Sequence, residues 1–456
     1  MSVTFQQELP IYKEVDVLVA GAGPAGVGAA VAAARNGADT LVIEANGCVG
    51  GMATMGGVGP FMTSYDANHE NMIIRGVFEE LVERMVAMGG AIHPGEVHNE
   101  EPHSSFYRLG HNNVGPFDQE AFKLAASRMI REAGAALLLH TQFIAVLKEG
   151  DRIGGVVIAN KDGLSVVRAK VVVDCTGDAD VAARAGCPYV VGSEEDGNIQ
   201  PASLFLRLYN VDTPRVAEHM AQHREEIRPF YGPYSWLIRE RPQAWGGIPR
   251  AEVGVFADVQ EGEYRLNVTR VLDVDGTKAE DLTRAELEGL EQAHKVFRFM
   301  RENAVGFENA HMIGTAATIG IRETRHIRGE YRLTGEEVAA CRVPEGTIAV
   351  MATNMDTHNR DNPGGSFIVP TAGPYFGVPY LCLVPKGADN LLVAGRAISA
   401  DALAGSAVRM MPSCMAFGQA AGVAAAMAAA ADIPPRDVDV AALRRKLTDQ
   451  GAFVGD

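Results

Sequence analysis

The chain has 456 residues, of which 47% are hydrophobic and 21% are charged, a composition typical of a folded globular protein with large cores. Its net charge of −16 argues against a nucleic-acid partner, because a protein that tracks phosphates normally presents a basic face. The six cysteines are scattered without a C-x-x-C pair, which argues against a disulfide framework or a zinc cluster. We therefore expect no metal site. Residues 1–16 lack the features of a secretory signal, so we expect a cytoplasmic protein.

The first motif lies within residues 15–35. Alternating valines at 15–19 predict a buried strand, and an Ala-rich helix follows to about Arg35. Between them is the G-x-G-x-x-G spacing of a dinucleotide-binding turn, whose glycines permit a tight turn, close approach of a pyrophosphate and close helix–strand packing. The helix N-terminus would present free N–H groups to the phosphates. The candidate cofactor-binding residues of this turn are Gly21, Gly23, Pro24, Ala25 and Gly26.

A second strand, 40–43, places Glu44 at its carboxyl end, 18 residues beyond the last glycine of the motif. An acid at this position accepts hydrogen bonds from ribose hydroxyls, and its charge argues against NADP in the site. A long Gly-rich loop follows and lets the backbone pass close to a large flat group. Ala45, Gly50, Gly51 and Met52 are therefore further cofactor-binding candidates.

Residues 15–54 resemble the FAD-dependent oxidoreductases of the glutathione-reductase and fumarate-reductase type. The resemblance implies a bound FAD, with the GG-x-x-T element at 50–54 running along the flavin. Because residues 45–53 contain no histidine, we expect the FAD to be non-covalent. Cys48 in this loop is interpreted as a small packed residue rather than half of a redox disulfide.

Residues 118–186 predict a capped amphipathic helix, 118–133, followed by a small meander of strands that re-enters the parallel sheet at 171–173. Thr176, Gly177 and Asp178 follow at the carboxyl end of that strand, where open α/β sheets bind ligands. In relatives the matching element contacts FAD, and the segment near Ile144 would place backbone against the adenine.

The region from 190 to about 350 lacks dinucleotide motifs and is interpreted as an inserted substrate-side domain with a helix at 283–302. Arg322 and Arg325 are three residues apart, so on a helix they would share a face. They could bind an anionic substrate or the flavin, or form a structural network with Glu323 and Glu330.

The last part of the chain returns to the first domain. A buried strand ends at Gly395 and Arg396, and a long small-residue helix follows from Pro412 to about Ala431. In the family this arrangement completes the flavin site, so Met411 and Ser413 at the helix start would lie near the pyrimidine end of the ring. The helix is apolar and long enough to raise the question of a membrane span, but its Ala-rich composition favours a buried helix.

These patterns predict an α/β fold: a Rossmann-like FAD-binding domain of the glutathione-reductase type, with a parallel sheet and a small β-meander, plus an inserted α+β substrate domain. The predicted divisions are 1–190 for the first part of the FAD domain, 191–365 for the insertion and 366–456 for the second part.

The leading hypothesis is an FAD-dependent dehydrogenase or oxidase that transfers a hydride between a small organic substrate and flavin N5. Arg409 is a candidate proton donor by resemblance to fumarate reductases, and His358 is a candidate base, or an ordinary loop histidine. Arg322 is the third catalytic candidate. Since no second G-x-G-x-x-G occurs, we expect electrons to leave to oxygen, a quinone or another protein. The alternatives are a monooxygenase that uses external NAD(P)H and a non-catalytic flavin-binding subunit. A homo-oligomer is one interpretation of the oligomeric state, which stays open.

Overall fold

The computed structural model describes residues 3–4, 6–107, 110–225, 232–358, 366–368 and 372–455. The strands of the described residues are, in chain order, β1 Ile11–Ala20, β2 Thr40–Ile43, β3 Ala136–Leu138, β4 Gln142–Glu149, β5 Arg152–Asn160, β6 Gly163–Asp174, β7 Tyr189–Val191, β8 Leu206–Tyr209, β9 Gly254–Ala257, β10 Tyr264–Asn267, β11 His311–Thr315, β12 Arg325–Ile327, β13 Thr347–Met351, β14 Met355–Thr357, β15 Ser366–Ile368, β16 Phe376–Pro379 and β17 Leu391–Val393. The α-helices are α1 Pro24–Arg35, α2 Val77–Ala87, α3 Gln119–Glu132, α4 Asp180–Arg184, α5 Thr213–Gln222, α6 Ser235–Glu240, α7 Pro242–Trp245, α8 Ala279–Asn303, α9 Gly335–Ala339, α10 Ala402–Val408, α11 Met411–Ala431 and α12 Val440–Asp449.

The largest sheet has the strand order β3-β2-β1-β6-β5-β4, with β17 also paired to β6. The pairs of β1 with β2 and β6, of β2 with β3, and of β17 with β6 are parallel, whereas β4, β5 and β6 form an antiparallel meander. Strands β2 and β17 and the last four residues of β1 and of β6 are buried on both faces, which explains their continuous runs of mostly Val, Leu and Ile. The predicted Rossmann-like sheet with a small meander is confirmed.

The predicted helix at 118–133 is observed as α3, and its cap accounts for its start. The Asp118 carboxylate accepts hydrogen bonds from the backbone N–H groups of Glu120 and Ala121, which would otherwise lack partners in the first turn. Phe122, Met129 and Ile130 lie on the face that α3 buries in the core of the large sheet.

A second, antiparallel sheet has the strand order β11-β8-β10-β9 and has a core of its own with α8. Large aromatic side chains fill this core, including Trp245, whose ring packs edge-on against Phe299 at 4.9 Å between ring centroids. The α+β region predicted beside the FAD domain is therefore present. The domain limits stay predictions: residue 365 lies outside the described residues, and β13 packs into the core of the large sheet.

Helices α1 and α11 pack along each other through glycines. A Cβ at Gly418 would lie 1.9 Å from the Ala25 carbonyl oxygen, and one at Gly422 would lie 2.2 Å from the Ala29 carbonyl oxygen. The contacts advance by four residues on each helix, so the two helices run parallel and begin at the same end of the sheet. Although α11 is long and apolar enough to cross a membrane, most of it is buried, as expected for a core helix.

Candidate active site

The turn between β1 and α1 depends on glycines for two different reasons. Gly21 has φ +96°, and a Cβ there would lie 2.5 Å from the Cys175 carbonyl oxygen, while a Cβ at Gly26 would lie 1.9 Å from the Gly21 carbonyl oxygen. These two positions are therefore restricted by the protein itself. At Gly23 the nearest protein atom to an added Cβ is Gly51 Cα at 3.9 Å, so the space beside Gly23 is open.

Glu44 is brought to the same turn. Its buried carboxylate accepts hydrogen bonds from the backbone N–H groups of Ala22 at 2.8 Å and Asn46 at 2.9 Å. The Gly-rich loop follows alongside, because the Gly50 N–H donates to the Ala22 carbonyl at 2.7 Å. Ala45 is exposed beside Glu44. The start of β4 is also close, since Thr141 N–H donates to the Glu44 carbonyl at 2.8 Å, and Ile144 lies half-exposed three residues further on.

A second part of the site forms where β6 and β17 end side by side. Thr176, Gly177 and Asp178 follow β6, and Gly395 and Arg396 follow β17. The Arg396 guanidinium donates to the Asp178 carboxylate, which also accepts from the Thr324 hydroxyl at 2.7 Å. Gly395 has φ +106°, and a Cβ there would lie 3.4 Å from the Ala25 side chain. The two predicted elements are therefore brought together beside α1.

The N-termini of α1 and α11 complete this end of the molecule. Neither helix, both of which are fully described, has a side-chain cap, and each carries proline in its first turn. The Ser413 hydroxyl at the start of α11 is buried and lacks a hydrogen-bond partner among the described residues. Two helix N-termini at one end of a parallel sheet favour binding of negative charge there.

A cavity opens next to these elements and contains all three catalytic candidates. Its polar wall includes Arg322, His358 and Arg409, and Arg396 also lines it. The other lining residues are Met52, Val58, Gly59, Pro60, Met62, Ser203, Phe205, Phe256, Asn267, Gly320, Ile321, Asp356, Met410 and Met411. The cavity therefore joins the predicted cofactor-binding residues Met52, Arg396 and Met411 to side chains of the second sheet.

Asp356 joins two of the candidates. His358 Nε2 lies 3.1 and 3.2 Å from its two carboxylate oxygens, and Arg409 Nη2 donates to the carboxylate at 3.2 Å. Arg409 Nη2 also donates to the Asp356 carbonyl at 3.2 Å. A carboxylate placed between an imidazole and a guanidinium fixes the orientation of both groups.

Burial and neighbouring charges set the protonation states of this cluster. Burial opposes ionisation of Asp356, but His358, Arg409 and Arg322 outweigh it and hold the pKa of the carboxyl well below its usual range. Burial lowers the pKa of His358 to about 4, against the opposing effect of Asp356. At neutral pH the cluster therefore contains a carboxylate and a neutral imidazole, and a neutral imidazole can accept a proton.

The predicted pairing of Arg322 with Arg325 on one helix face is wrong. Residues 321–324 are not helical, and Arg325 begins strand β12. Arg322 lies on the cavity, whereas Arg325 donates to the Asp178 carbonyl and the Asp180 carboxylate, both at 2.8 Å. The proposed network with Glu323 and Glu330 is replaced by these contacts, because the extended backbone turns neighbouring side chains to different sides.

The sequence pattern of the family described as "FAD dependent oxidoreductase" matches residues 16–447. The chain belongs to this FAD-dependent oxidoreductase family. FAD is the cofactor of the family, and the Rossmann-like fold described above is the one expected of it.

Curated relatives of this FAD-dependent oxidoreductase include two archaeal proteins. Thiamine thiazole synthase of Aeropyrum pernix is 32% identical over 191 residues, which are 40% of this chain and 61% of the relative. Digeranylgeranylglycerophospholipid reductase of Picrophilus torridus is 27% identical over 274 residues, which are 57% of this chain and 60% of the relative. The matches thus span about three fifths of the length of each relative.

Solved structures similar to this FAD-dependent oxidoreductase include a geranylgeranyl bacteriochlorophyll reductase-like protein from Thermoplasma acidophilum, with 17% identity, 97% of this chain and 84% of that chain covered, and a TM-score of 0.46. Another is p-nitrophenol 4-monooxygenase from Pseudomonas putida, with 10% identity, 96% and 85% coverage, and a TM-score of 0.46.

The residues of the turn fit an FAD cofactor. The open space at Gly23 suits a pyrophosphate, since no described protein atom requires glycine there. Glu44 stands where it would bind a ribose, and the buried Ser413 hydroxyl lies at the helix start predicted for the flavin end. When bound, FAD supplies a two-electron redox centre. The assignment of individual residues to parts of FAD stays a prediction.

Asp356, Ser203 and Asn267 were not among the predicted site residues. Asp356 and His358 are two residues apart, a spacing that places side chains on the same face of a strand, and β14 covers Met355–Thr357. That alternation was the available signal for Asp356. Ser203 and Asn267 join the cavity from neighbouring segments of the second sheet, for which the sequence offers no comparable pattern.

Proposed function

We propose that the protein is an FAD-dependent dehydrogenase or oxidase that oxidises a small organic substrate by hydride transfer to flavin N5. The observation that carries the proposal is the cluster of His358, Asp356 and Arg409 in the same cavity as Met52 and Met411. When an alcohol loses a hydride from its C–H bond, the hydroxyl proton must also leave to give a neutral carbonyl, so this oxidation needs a base in the cavity.

His358 is the base in this proposal. Its Nε2 faces Asp356, whose carboxylate orients the ring and stabilises the imidazolium that forms when the ring takes the substrate proton. Arg409 keeps Asp356 ionised and in place. The apolar side chains of Val58, Phe205 and Phe256 form part of the cavity wall.

The physiological electron acceptor is oxygen, a quinone or another protein in this proposal, and the reaction takes place in the cytoplasm. The described cysteines are all free, in keeping with a reducing compartment. A homo-oligomer is part of the same proposal.

Anaerobic flavin bleaching tests the function. Purified holoenzyme is mixed with a panel of small hydroxy- and amino-substituted metabolites, and loss of the oxidised-flavin absorbance band identifies a reductant. His358→Gln should slow bleaching by about 100-fold or more, the range of a general base, while the FAD content stays unchanged. His311→Gln, at an exposed position of β11, is the matched control.

Two outcomes would contradict the proposal. Rapid bleaching by NADH or NADPH alone would favour the monooxygenase that uses external NAD(P)H. If photoreduction bleached the flavin but no metabolite exchanged electrons with it, the non-catalytic subunit would be favoured instead.

A further inference from the structure

The positive charges of the side chains that line the cavity outnumber their carboxylate partners. Arg409 is paired with Asp356 at 3.2 Å, and Arg396 is paired with the Asp178 carboxylate. His358 is neutral at pH 7, because burial keeps its pKa near 4. Among the cavity residues that the structure describes, this leaves the positive charge of Arg322 without a carboxylate partner.

The contacts of Arg322 show how its guanidinium is held. Nη1 donates to the Pro201 carbonyl at 2.7 Å and to the Ser203 hydroxyl at 2.8 Å, and Nη2 lies 3.4 Å from the Asn267 amide oxygen. The acceptors are all neutral oxygens. They orient the fork of the side chain, but they do not neutralise its charge.

The backbone around Arg322 is also fixed. Gly320 and Ser203 exchange N–H···O=C hydrogen bonds at 2.8 and 3.0 Å, so the segment is joined to the strand that continues into β8. A cation held in this way is preorganised for a ligand, because little side-chain freedom remains to be lost on binding.

The surroundings increase the need for an anion. Burial, followed by the nearby charges of Arg409 and Arg250, lowers the pKa of Arg322 to about 9 against the opposing charge of Asp356, so the group is still cationic at pH 7. Glu252, 3.6 Å from Arg250, offers little compensation at that pH, because burial raises its pKa to about 8. A partly buried cation that forms no ion pair of its own is unfavourable, and a bound carboxylate would relieve that cost.

We propose that Arg322 binds the carboxylate of the substrate, which is therefore a small organic acid; this inference rests on the proposed function. One unbalanced cation in the cavity matches one carboxylate. The remaining wall includes Val58, Met62, Phe205 and Phe256, so the rest of the substrate is apolar near these side chains. The substrate class is thus a monocarboxylic acid that carries the oxidisable C–H group, with its neighbouring O–H or N–H group, beside an apolar part.

Matched acids and amides test the inference on oxidised holoenzyme, without turnover. Propionate, benzoate, propionamide and benzamide are titrated while the flavin absorbance spectrum is followed. We expect at least one acid to perturb the spectrum and to bind roughly 10- to 100-fold more tightly than its amide, the effect of one charge-assisted hydrogen-bonded pair. Succinate should bind no more tightly than propionate, because no second unbalanced cation lines the described cavity.

Variants then assign the effect. Arg322→Gln should remove the preference for the acid, and Arg322→Lys should keep part of it, with the FAD content unchanged in both. Arg207→Gln is the control: Arg207 also belongs to the second sheet, but its guanidinium has carboxylate partners, Glu263 at 3.0 Å and Asp258 at 4.0 Å. This variant should leave the acid preference intact.

The outcomes distinguish this inference from the proposed function. If acids and amides bind alike, or if no acid binds, the inference is overturned on the wild-type protein, even where Arg322→Gln fails to fold. If Arg322→Gln shifts the flavin potential but leaves acid binding unchanged, the arginine serves the flavin instead, and the inference is again overturned. If a neutral alcohol bleaches the flavin in a His358-dependent way while no acid binds, the proposed function is supported and the carboxylate inference is overturned.

Discussion

The turn after β1 and the cluster around Asp356 differ in the atoms that they offer to a ligand. The turn offers backbone N–H groups and open space beside Gly23, and its parts lie within residues 20–51. The cluster offers charged side chains, and Arg322, His358 and Arg409 reach it from separate segments. The comparison teaches that the turn at the cofactor end is a backbone structure encoded locally, whereas the substrate end exists only once distant segments have folded together.

The sharpest test of this contrast uses two glycines of one motif. Gly26→Ala should lower the free energy of unfolding by about 3 kcal/mol with or without FAD, because the new Cβ would meet the Gly21 carbonyl. Gly23→Ala should change the stability of the FAD-free protein by less than about 0.5 kcal/mol but weaken FAD binding at least ~10-fold. Chemical denaturation and flavin fluorescence titration measure the two effects. Equal losses of apo stability in both variants would contradict the assignment of the open space to a ligand.

The second prediction concerns Asp356. Asp356→Asn removes the carboxylate from His358 and Arg409, so we expect a loss of about 3 kcal/mol in stability and at least ~100-fold slower bleaching by substrate. The FAD content should be retained, because the variant changes the substrate end alone. Asp389→Asn breaks an exposed pair with Arg436 and is the control, with an expected loss below about 1 kcal/mol. Loss of FAD from Asp356→Asn alone would show that the two ends are not separable.

A third prediction follows from the pKa of His358, which burial lowers from 6.5 to about 4. Between these values the unfolded chain binds a proton that the folded protein does not, so this contribution to stability is complete above pH 6.5 and is lost as the pH falls toward 4. When the pH falls from 6.5 to 4, we expect the free energy of unfolding of His358→Gln to decrease by about 2–3 kcal/mol less than that of the wild type. His111, whose pKa burial also lowers to about 4, adds a slope of the same sign in both proteins, and Glu252, whose pKa burial raises to about 8, adds one of the opposite sign in both. Parallel stability curves for wild type and variant, measured by denaturation at each pH, would refute the prediction.

The smallest effect is expected at Cys48. Its sulfur lies 3.7 Å from Met55 Sδ and 3.9 Å from the Thr54 hydroxyl, so it packs in the loop as a small side chain. Cys48→Ser should change stability by less than about 0.5 kcal/mol and leave flavin bleaching rates unchanged. A marked fall in the rate would show that the thiol takes part in electron transfer.

The sequence predicts the cofactor end well for a physical reason. The role of Gly26 follows from a local contact with the Gly21 carbonyl, and the role of Gly21 follows in part from its positive φ, although the atom that an added Cβ would meet belongs to Cys175. The same locality explains why α3 begins at its Asp118 cap as expected. The fold class and the cofactor follow from such patterns together with the family resemblance.

Side-chain pairing at the substrate end could not be predicted in this way. The spacing of Arg322 and Arg325 fits a helix face, but Gly320 pairs with Ser203 and makes the segment extended. Asp356 and Arg409 are 53 positions apart, and no periodic pattern connects them. Which charged side chains form pairs in the cavity depends on the topology. The sequence therefore indicates Arg322 as a candidate, but it does not indicate that Arg322 forms no ion pair.

The close packing of α1 on α11 has a consequence for the synthesis of the protein. Because Gly28 and Gly418 have no side chains, α11, which lies near the end of the chain, packs directly against α1, the first helix to be synthesised. During synthesis the turn after β1 therefore lacks its α11 neighbour until most of the chain has been translated. We expect ribosome-stalled fragments that lack α11 to retain no flavin, so that cofactor loading marks the completion of translation.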